Sequence, residues 1–342
     1  MRSQPQRSKR PSMKDVADLA GVSRTTVSFV VNNVPDSNIP QATQDRVWAA
    51  VEELGYRPNW MARGLRSQRT HTIGFISDVV ATTPHATNMI QGAQDLAWEH
   101  KTLLLLVNIG DSQDMKMAAV NMMLERQVEG IIYATMYHRE AHPPEIIKEV
   151  PAVMLDCYVA DRSLPSVVPD EELGAYTAVS TLINKGHKRI GYLQNLEAVD
   201  AAVLRFEGYK RALAEHEILF EKDLVSAVSD RDGYDGAMNL LRGPNPPSAI
   251  FVFNDRMTMG AYDAIRNLNL KIPADVAVIG YDNQVLIAPA LYPALTTMAL
   301  PHYDMGCWAV ERLLKMINEP AAQPETAVQH KMECPLIERS SV

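Results

Sequence analysis

Hydrophobic and polar positions change period once along this chain. Up to about residue 55 the apolar residues follow a helical spacing. Ser12-Met13-Lys14-Asp15 stands before Val16, Ala17, Leu19 and Ala20 and fits a capping box, so a short helix is predicted to start there. Gly21-Val22-Ser23 interrupts it, and Ser23 supplies a second cap for a helix over Arg24 to Asn32. Val47, Ala50, Val51 and Leu54 then repeat at i, i+3, i+4 and i+7 before Gly55, which predicts a third helix. Beyond residue 71 short apolar bursts alternate with longer amphipathic stretches. The bursts are Ile73 to Ile76, Leu103 to Val107, Ile131 to Tyr133, Val153 to Leu155, Ile190 to Leu193, Ile250 to Phe253 and Val276 to Ile279. Near-continuous apolar strands separated by helices predict parallel sheets in a doubly wound α/β arrangement. Some 270 residues exceed one such unit, so two lobes are expected.

The composition suits a globular chain: 342 residues, 46% hydrophobic and 22% charged. Disordered, collagen-like and disulfide-scaffold classes are excluded. No apolar run approaches the roughly 18 residues of a membrane span, and no apolar stretch follows Arg2, Arg7, Lys9 and Arg10, so a cytosolic location is expected. Cys157, Cys307 and Cys334 are far apart and form no C-x-x-C, which predicts reduced thiols and no zinc site. The net charge of -8 is unevenly spread. Residues 1–70 hold 11 Lys and Arg against 6 Asp and Glu, whereas the remainder holds 22 against 35. A basic head on an acidic body fits a chain of which one end meets a polyanion; a solvated basic tail gives the same balance.

The first two helices meet across a tight turn, with Ala17, Gly21 and Val27 small or apolar enough for a close crossing. The second presents Arg24, Thr25, Thr26, Ser28 and Phe29 from its N-terminal turns, the end that a DNA-reading helix points at base edges and phosphates.

From residue 12 to about 340 the sequence resembles the lactose/galactose repressor (LacI) family of bacterial transcription regulators. The resemblance rests on MKDVADLAGVSRTTVS (13–28), VEELGYRPN (51–59), ARGLRSQRTHTIGFI (62–76), GHKRIGYL (186–193), FNDRMTMGA (253–261) and DVAVIGYDN (275–283). It implies an N-terminal all-α helix-turn-helix headpiece followed by a periplasmic-binding-protein-like α/β effector domain of two doubly wound lobes. The expected divisions are a basic arm (1–11), the headpiece (12–56), a hinge helix and linker (57–70) and the effector domain (71–342). The first lobe is placed at about 71–170 and 301–325, the second at about 171–300 and 326–342. In the hinge the resemblance places Asn59, and Leu65 as an apolar wedge at a central base step of the minor groove.

Ligands of open parallel sheets sit beyond the carboxyl ends of the strands. Thr83 and His85 follow the first apolar burst, Asp156 the fourth, Asn254 the sixth and Asp282 the seventh, and Arg205 begins the helix after the fifth. Carboxylates, Asn and Arg converging on one edge suit a small polyhydroxylated ligand. The resemblance carries effector contacts onto Asp156, Arg205, Asn254 and Asp282. Taken singly, Asn254 and Asp282 can equally cap helices, and Arg205 can pair with a structural carboxylate. Thr83-Pro84-His85-Ala86 departs from the family's Asn-Pro-aromatic-aromatic run, and Val228 stands where a stacking ring is often found, leaving Tyr137 or Tyr158 to supply one.

The resulting expectation is a sequence-specific repressor of transcription whose operator affinity is set by a sugar or sugar derivative, acting as a homodimer on near-palindromic DNA, with no cofactor and no metal. Pro320, Pro324 and Pro335, without leucine heptads, argue against a tetramerising tail. The alternative is a cytosolic small-molecule sensor of the sugar-receptor type with no DNA role. An enzyme is disfavoured because no nucleotide-binding, serine-hydrolase or zinc-protease motif is present, and His216-Glu217 reads as surface.

Overall fold

The computed structural model describes residues 11–34, 37–57, 69–84, 86–110, 112–320 and 326–342, and the chain divides into two compact units at Thr70/His71. The predicted positions Asn59, Leu65 and His85 lie outside the described residues.

Among the described residues the first unit holds three helices: α1 (Met13–Ala20), α2 (Arg24–Val31) and α3 (Gln41–Leu54). The capping box closes as predicted, with Asp15 Oδ2 accepting from the Ser12 backbone N–H at 2.6 Å and Ser12 Oγ accepting from the Asp15 N–H at 3.4 Å. Gly21 takes φ +66°, the left-handed conformation that lets α1 turn directly into α2. Ser23 Oγ caps α2 by accepting from the Thr26 N–H at 3.0 Å. Val16, Ala17, Val27, Val30, Val31, Val47 and Ala50 form the core of the unit. The third helix starts at Gln41, six residues before its apolar repeat, behind Pro40 and without a side-chain cap.

Among the described residues the second unit contains two six-stranded sheets. The first sheet uses β1 (Thr72–Ser77), β2 (Leu103–Asn108), β3 (Ile131–Glu140), β4 (Ala152–Tyr158) and β5 (Ser166–Pro169). Helices α4 (Thr87–Glu99) and α5 (Gln113–Glu125) connect its early strands. After α6 (Glu171–Asn184) the second sheet begins with β6 (Ile190–Asn195), α7 (Asp200–Glu215), β7 (Val225–Val228) and α8 (Gly233–Leu241). It continues with β8 (Ala249–Val252), α9 (Asp255–Asn267), β9 (Ala277–Asp282) and β10 (Thr296–Ala299). The chain then returns through α10 (His302–Asn318) and ends in β11 (Gln329–Met332) and β12 (Leu336–Ile337).

The strand orders are β11-β5-β4-β3-β1-β2 and β12-β10-β9-β8-β6-β7, with every pairing parallel except β10 with β12. The connections therefore reverse direction at β1/β3 in one lobe and at β6/β8 in the other. Those are the two switch points at which a crevice opens beyond the strand ends.

Two expectations need correction. Residues 329–332, placed by sequence in the second lobe, pair with β5 as the edge of the first sheet, so the chain crosses between lobes once more near Cys334. Arg205 lies in the second turn of α7 rather than at its start. Helix α10 packs on α4 through glycines: a Cβ on Gly306 would stand 2.1 Å from the Met89 carbonyl oxygen, and one on Gly92 2.0 Å from that of Tyr303.

Candidate functional site

In the first unit, Val27, Val30 and Val31 turn one face of α2 into the core. Thr25 and Phe29, four residues apart, lie on the opposite face, flanked by Arg24 and Ser28. Arg24 and Thr25 are exposed. Thr26 is partly engaged by the cap, its Oγ1 2.9 Å from Ser23 Oγ, and Ser28 is tied to Asn32, whose side-chain amide donates to the Ser28 carbonyl at 2.7 Å. The five predicted residues thus share one short helix, but Arg24, Thr25 and Phe29 are freer to meet another molecule than Thr26 and Ser28.

In the second unit a cleft of about 350 Å³ opens at the two switch points. From the first lobe Thr83, Met136 and Tyr137 line it; from the second come Asp230, Asn254, Arg256 and Gln284. Asp230 organises the second-lobe wall. It accepts from the Asn254 amide at 2.6 Å and pairs with Arg256 at 3.1 Å, while Asn254 Oδ1 caps α9 by accepting from the Met257 N–H at 2.8 Å. Asn254 therefore combines the capping and lining roles that the sequence left as alternatives. Tyr137 rises from β3 and packs against the hydrophobic core of the other lobe. Burial, together with Asp230 and Glu197 nearby, pushes its phenol pKa well up, so it meets a ligand as a hydroxyl donor and an apolar ring.

Arg205 and Asp156 are buried beside this cleft at the ends of strands of both sheets, and Asp282 joins them to it, its Oδ2 accepting from the side-chain amide of the cleft residue Gln284 at 3.0 Å. Arg205, 2% exposed, donates to Glu171 through Nε at 2.7 Å and Nη2 at 3.2 Å, and through Nη1 to the Phe253 carbonyl at 2.5 Å. Asp282 Oδ1 is 3.5 Å from Nη1. The guanidinium also lies 3.7 Å from the centre of the Tyr281 ring. Burial and the adjacent Glu171 push the Asp156 carboxyl well above the usual carboxylate range, and its Oδ1 has no hydrogen-bond partner. Asp156 and Asp282 hold φ of +57° and +101°, backbone conformations that concentrate at functional sites.

Sequence reasoning missed Glu171, Asp230, Arg256 and Gln284. Glu171 stands two residues after β5, a strand that the apolar bursts of the sequence did not include, so the strand-end rule was not applied there. Asp230 and Gln284 needed β7 and the loop after β9 to be in place. Tyr158, the other ring offered by the sequence, bonds through its hydroxyl to Asp200 and lies outside this cleft. Among the described residues no group of His, Cys, Asp and Glu is arranged to hold a metal ion, and no helix is long and apolar enough to cross a membrane.

A helix-turn-helix followed by a two-lobed body with a cleft at its switch points defines a DNA-binding regulator with a ligand-binding domain. Residues 12–59 match the bacterial regulatory proteins of the lacI family, and residues 179–342 match a periplasmic binding protein-like domain. The chain is 35% identical to Catabolite control protein A of Priestia megaterium, over 93% of this chain and 96% of that one. It is 34% identical to the Ribose operon repressor of Escherichia coli (strain K12), over 92% and 95%. Among solved structures, the lac repressor dimer bound to operator and the anti-inducer ONPF superposes with a TM-score of 0.81 at 26% identity, over 97% of this chain and 99% of that one. The chain belongs to the LacI family and is a DNA-binding regulator of transcription.

Proposed function

We propose that this regulator is a cytoplasmic, nucleoid-associated repressor that binds a near-palindromic operator as a homodimer and responds to a neutral sugar or sugar derivative in the cleft between its lobes. The observation that carries the ligand reading is the meeting of Tyr137 and Thr83 from one lobe with Asp230, Asn254 and Gln284 from the other. These are hydroxyl, amide and carboxylate groups around a ring, the set that pairs with vicinal hydroxyls. Relatives support the class. One neighbouring structure is the transcriptional regulator CelR in complex with cellobiose, and another is the lac repressor bound to ONPG in the repressed state.

Arg24, Thr25 and Phe29 are the proposed base-reading residues, with Thr26 and Ser28 at the phosphates and Asn59 and Leu65 in the hinge. In the cleft, Thr83 and Asn254 join Tyr137 and Asp230 in contacting the ligand; His85, outside the described residues, is a further proposed contact from the sequence. Asp156, Arg205 and Asp282 are the buried layer behind it, which fixes the strand ends that the ligand touches. A ligand bridging both lobes favours one closure of the body over another, and linkage then requires operator affinity to change.

The test is a thermal-shift screen of sugars, nucleosides and purines on the full-length protein, followed by operator binding with each hit. A neutral sugar that raises the melting temperature and alters operator affinity supports the reading. Stabilisation by purines alone overturns the sugar assignment, and the absence of any operator in a binding-site selection overturns the repressor assignment.

A further inference from the structure

A second crevice, of about 460 Å³, opens between the lobes on the side of the first sheet bordered by β5 and β11. Its first-lobe wall carries Arg162, Lys331 and His138; its second-lobe wall is Val203 and Leu204 of α7, with Asp200 at the first residue of that helix. None of these residues lines the cleft at the switch points.

The charges of the crevice are unbalanced. Arg162 lies 3.3 Å from the centre of the Tyr158 ring and reaches Gln329 at 3.5 Å, but neither it nor Lys331 has a carboxylate partner among the described residues. Among the described residues lining the crevice the one carboxylate, Asp200, is engaged by the Tyr158 hydroxyl. His138 is only 5% exposed, and its Nδ1 has no hydrogen-bond partner. A buried ring nitrogen left unbonded carries a desolvation cost that a ligand oxygen can remove. The opposite wall is apolar, and Val203 is 57% exposed there. The volume falls within the range of about 300–1,000 Å³ of small-molecule sites.

We propose that this crevice is a second ligand site, for a small organic phosphomonoester. Its three terminal oxygens meet Arg162, Lys331 and the His138 Nδ1–H, and its apolar or ring body lies on Val203 and Leu204. Two separate cations and one N–H donor match a tetrahedral dianion better than a planar carboxylate, which is served by one bidentate guanidinium. Because the walls belong to different lobes, occupancy ties α7 to the edge of the first sheet.

The experiment is isothermal titration of the full-length protein with phenyl phosphate, inorganic phosphate and benzoate. Phenyl phosphate is expected to bind one per chain, more tightly than inorganic phosphate through the apolar wall and more tightly than benzoate through the third oxygen. Arg162 and Lys331 are exposed, so the double variant Arg162→Gln/Lys331→Gln keeps the fold; it should weaken phenyl phosphate at least tenfold. Asp230→Asn, in the other cleft, should leave that titration unchanged, so failure of the sugar reading stays distinguishable. Three results overturn the proposal: no binding of phenyl phosphate at millimolar concentration, equal binding to the double variant, or benzoate binding as tightly as phenyl phosphate.

Discussion

Glu171 holds Arg205 with two charge-assisted hydrogen bonds, at 2.7 and 3.2 Å, in a place where each side chain is no more than 3% exposed. The pair joins the start of α6 to the second turn of α7, and the Phe253 carbonyl fixes the guanidinium from a third side. Arg205 makes the carboxylate pairing that was one of its two readings in the sequence. The guanidinium thus sets the strand ends behind the cleft.

This geometry predicts a stability effect. Removing one partner of a buried pair leaves an uncompensated charge and costs about 3–5 kcal/mol. Arg205→Ala and Glu171→Gln should each lower the denaturation midpoint strongly, and Glu171→Leu/Arg205→Met should recover most of the loss. The check is guanidinium unfolding followed by circular dichroism. An Arg205→Ala protein as stable as the parent would show that the pair contributes nothing to the fold.

Operator choice is expected to follow the outer face of α2. Phe29 offers no hydrogen bond to a guanine edge, whereas Arg in the same place can grip O6 and N7, a contact worth about 1–3 kcal/mol of discrimination. Selection from random DNA with Phe29→Arg should recover a half-site with a new guanine, and Arg24→Ala should relax a preference. Identical half-sites for all three proteins would mean that α2 does not read bases.

For the cleft, Asp230→Asn keeps the shape of the wall but removes the charge that holds Arg256 and Asn254. Hydrogen bonds to charged groups contribute about 1.5–3 kcal/mol, so effector affinity should fall by roughly 10- to 100-fold. Operator binding without effector should stay near that of the parent. Titration of the screened effector decides it, and unchanged affinity would place the ligand elsewhere.

A pH dependence of stability follows from Asp255. Burial, reinforced by Asp282, raises its pKa from an ordinary 3.8 to about 8, although Thr297 Oγ1 and the Gln284 N–H both donate to it at 2.7 Å. The folded state then holds a proton that the unfolded chain releases. This contribution is full below pH 4, declines as pH rises through the interval to about 8, and is flat above. Asp255→Asn, which is always neutral, should remove that slope. Chemical denaturation at a series of pH values tests it, and a slope retained in the variant would assign it to another group.

The crossing of α4 and α10 gives a steric prediction. Gly306→Ala drives a Cβ to within 2.1 Å of the Met89 carbonyl oxygen, and overpacking of this kind costs about 1–3 kcal/mol. Gly243→Ala meets nothing closer than 3.9 Å and should be near neutral. Melting temperatures of the two variants separate the packing effect from the general replacement of a glycine.

The sequence by itself determined the headpiece, because the signals that make it are local. A capping box, a left-handed glycine and a capping serine act within four residues of the groups they satisfy, and Ser12, Gly21 and Ser23 do so as read. The longer buried parallel strands β1, β3, β4, β6, β8 and β9 were equally legible, since a strand covered on both faces tends to be apolar throughout, whereas the four-residue strands Ser166–Pro169 and Thr296–Ala299, whose Ser, Pro and Thr break the apolar run, were not read although they are buried. The strands Gln329–Met332 and Val225–Val228 were not: an edge strand with one exposed face needs no apolar run, and its place is set by the neighbour it bonds to. Tertiary structure alone decided which strand-end residues meet. Asn254 reaches the cleft because Asp230, 24 residues away, accepts its amide; Arg205 is held beside it because Glu171, 34 residues away, arrives in the same buried place. Those partners are selected by how two sheets bring their ends together, and no periodicity along the chain encodes that meeting.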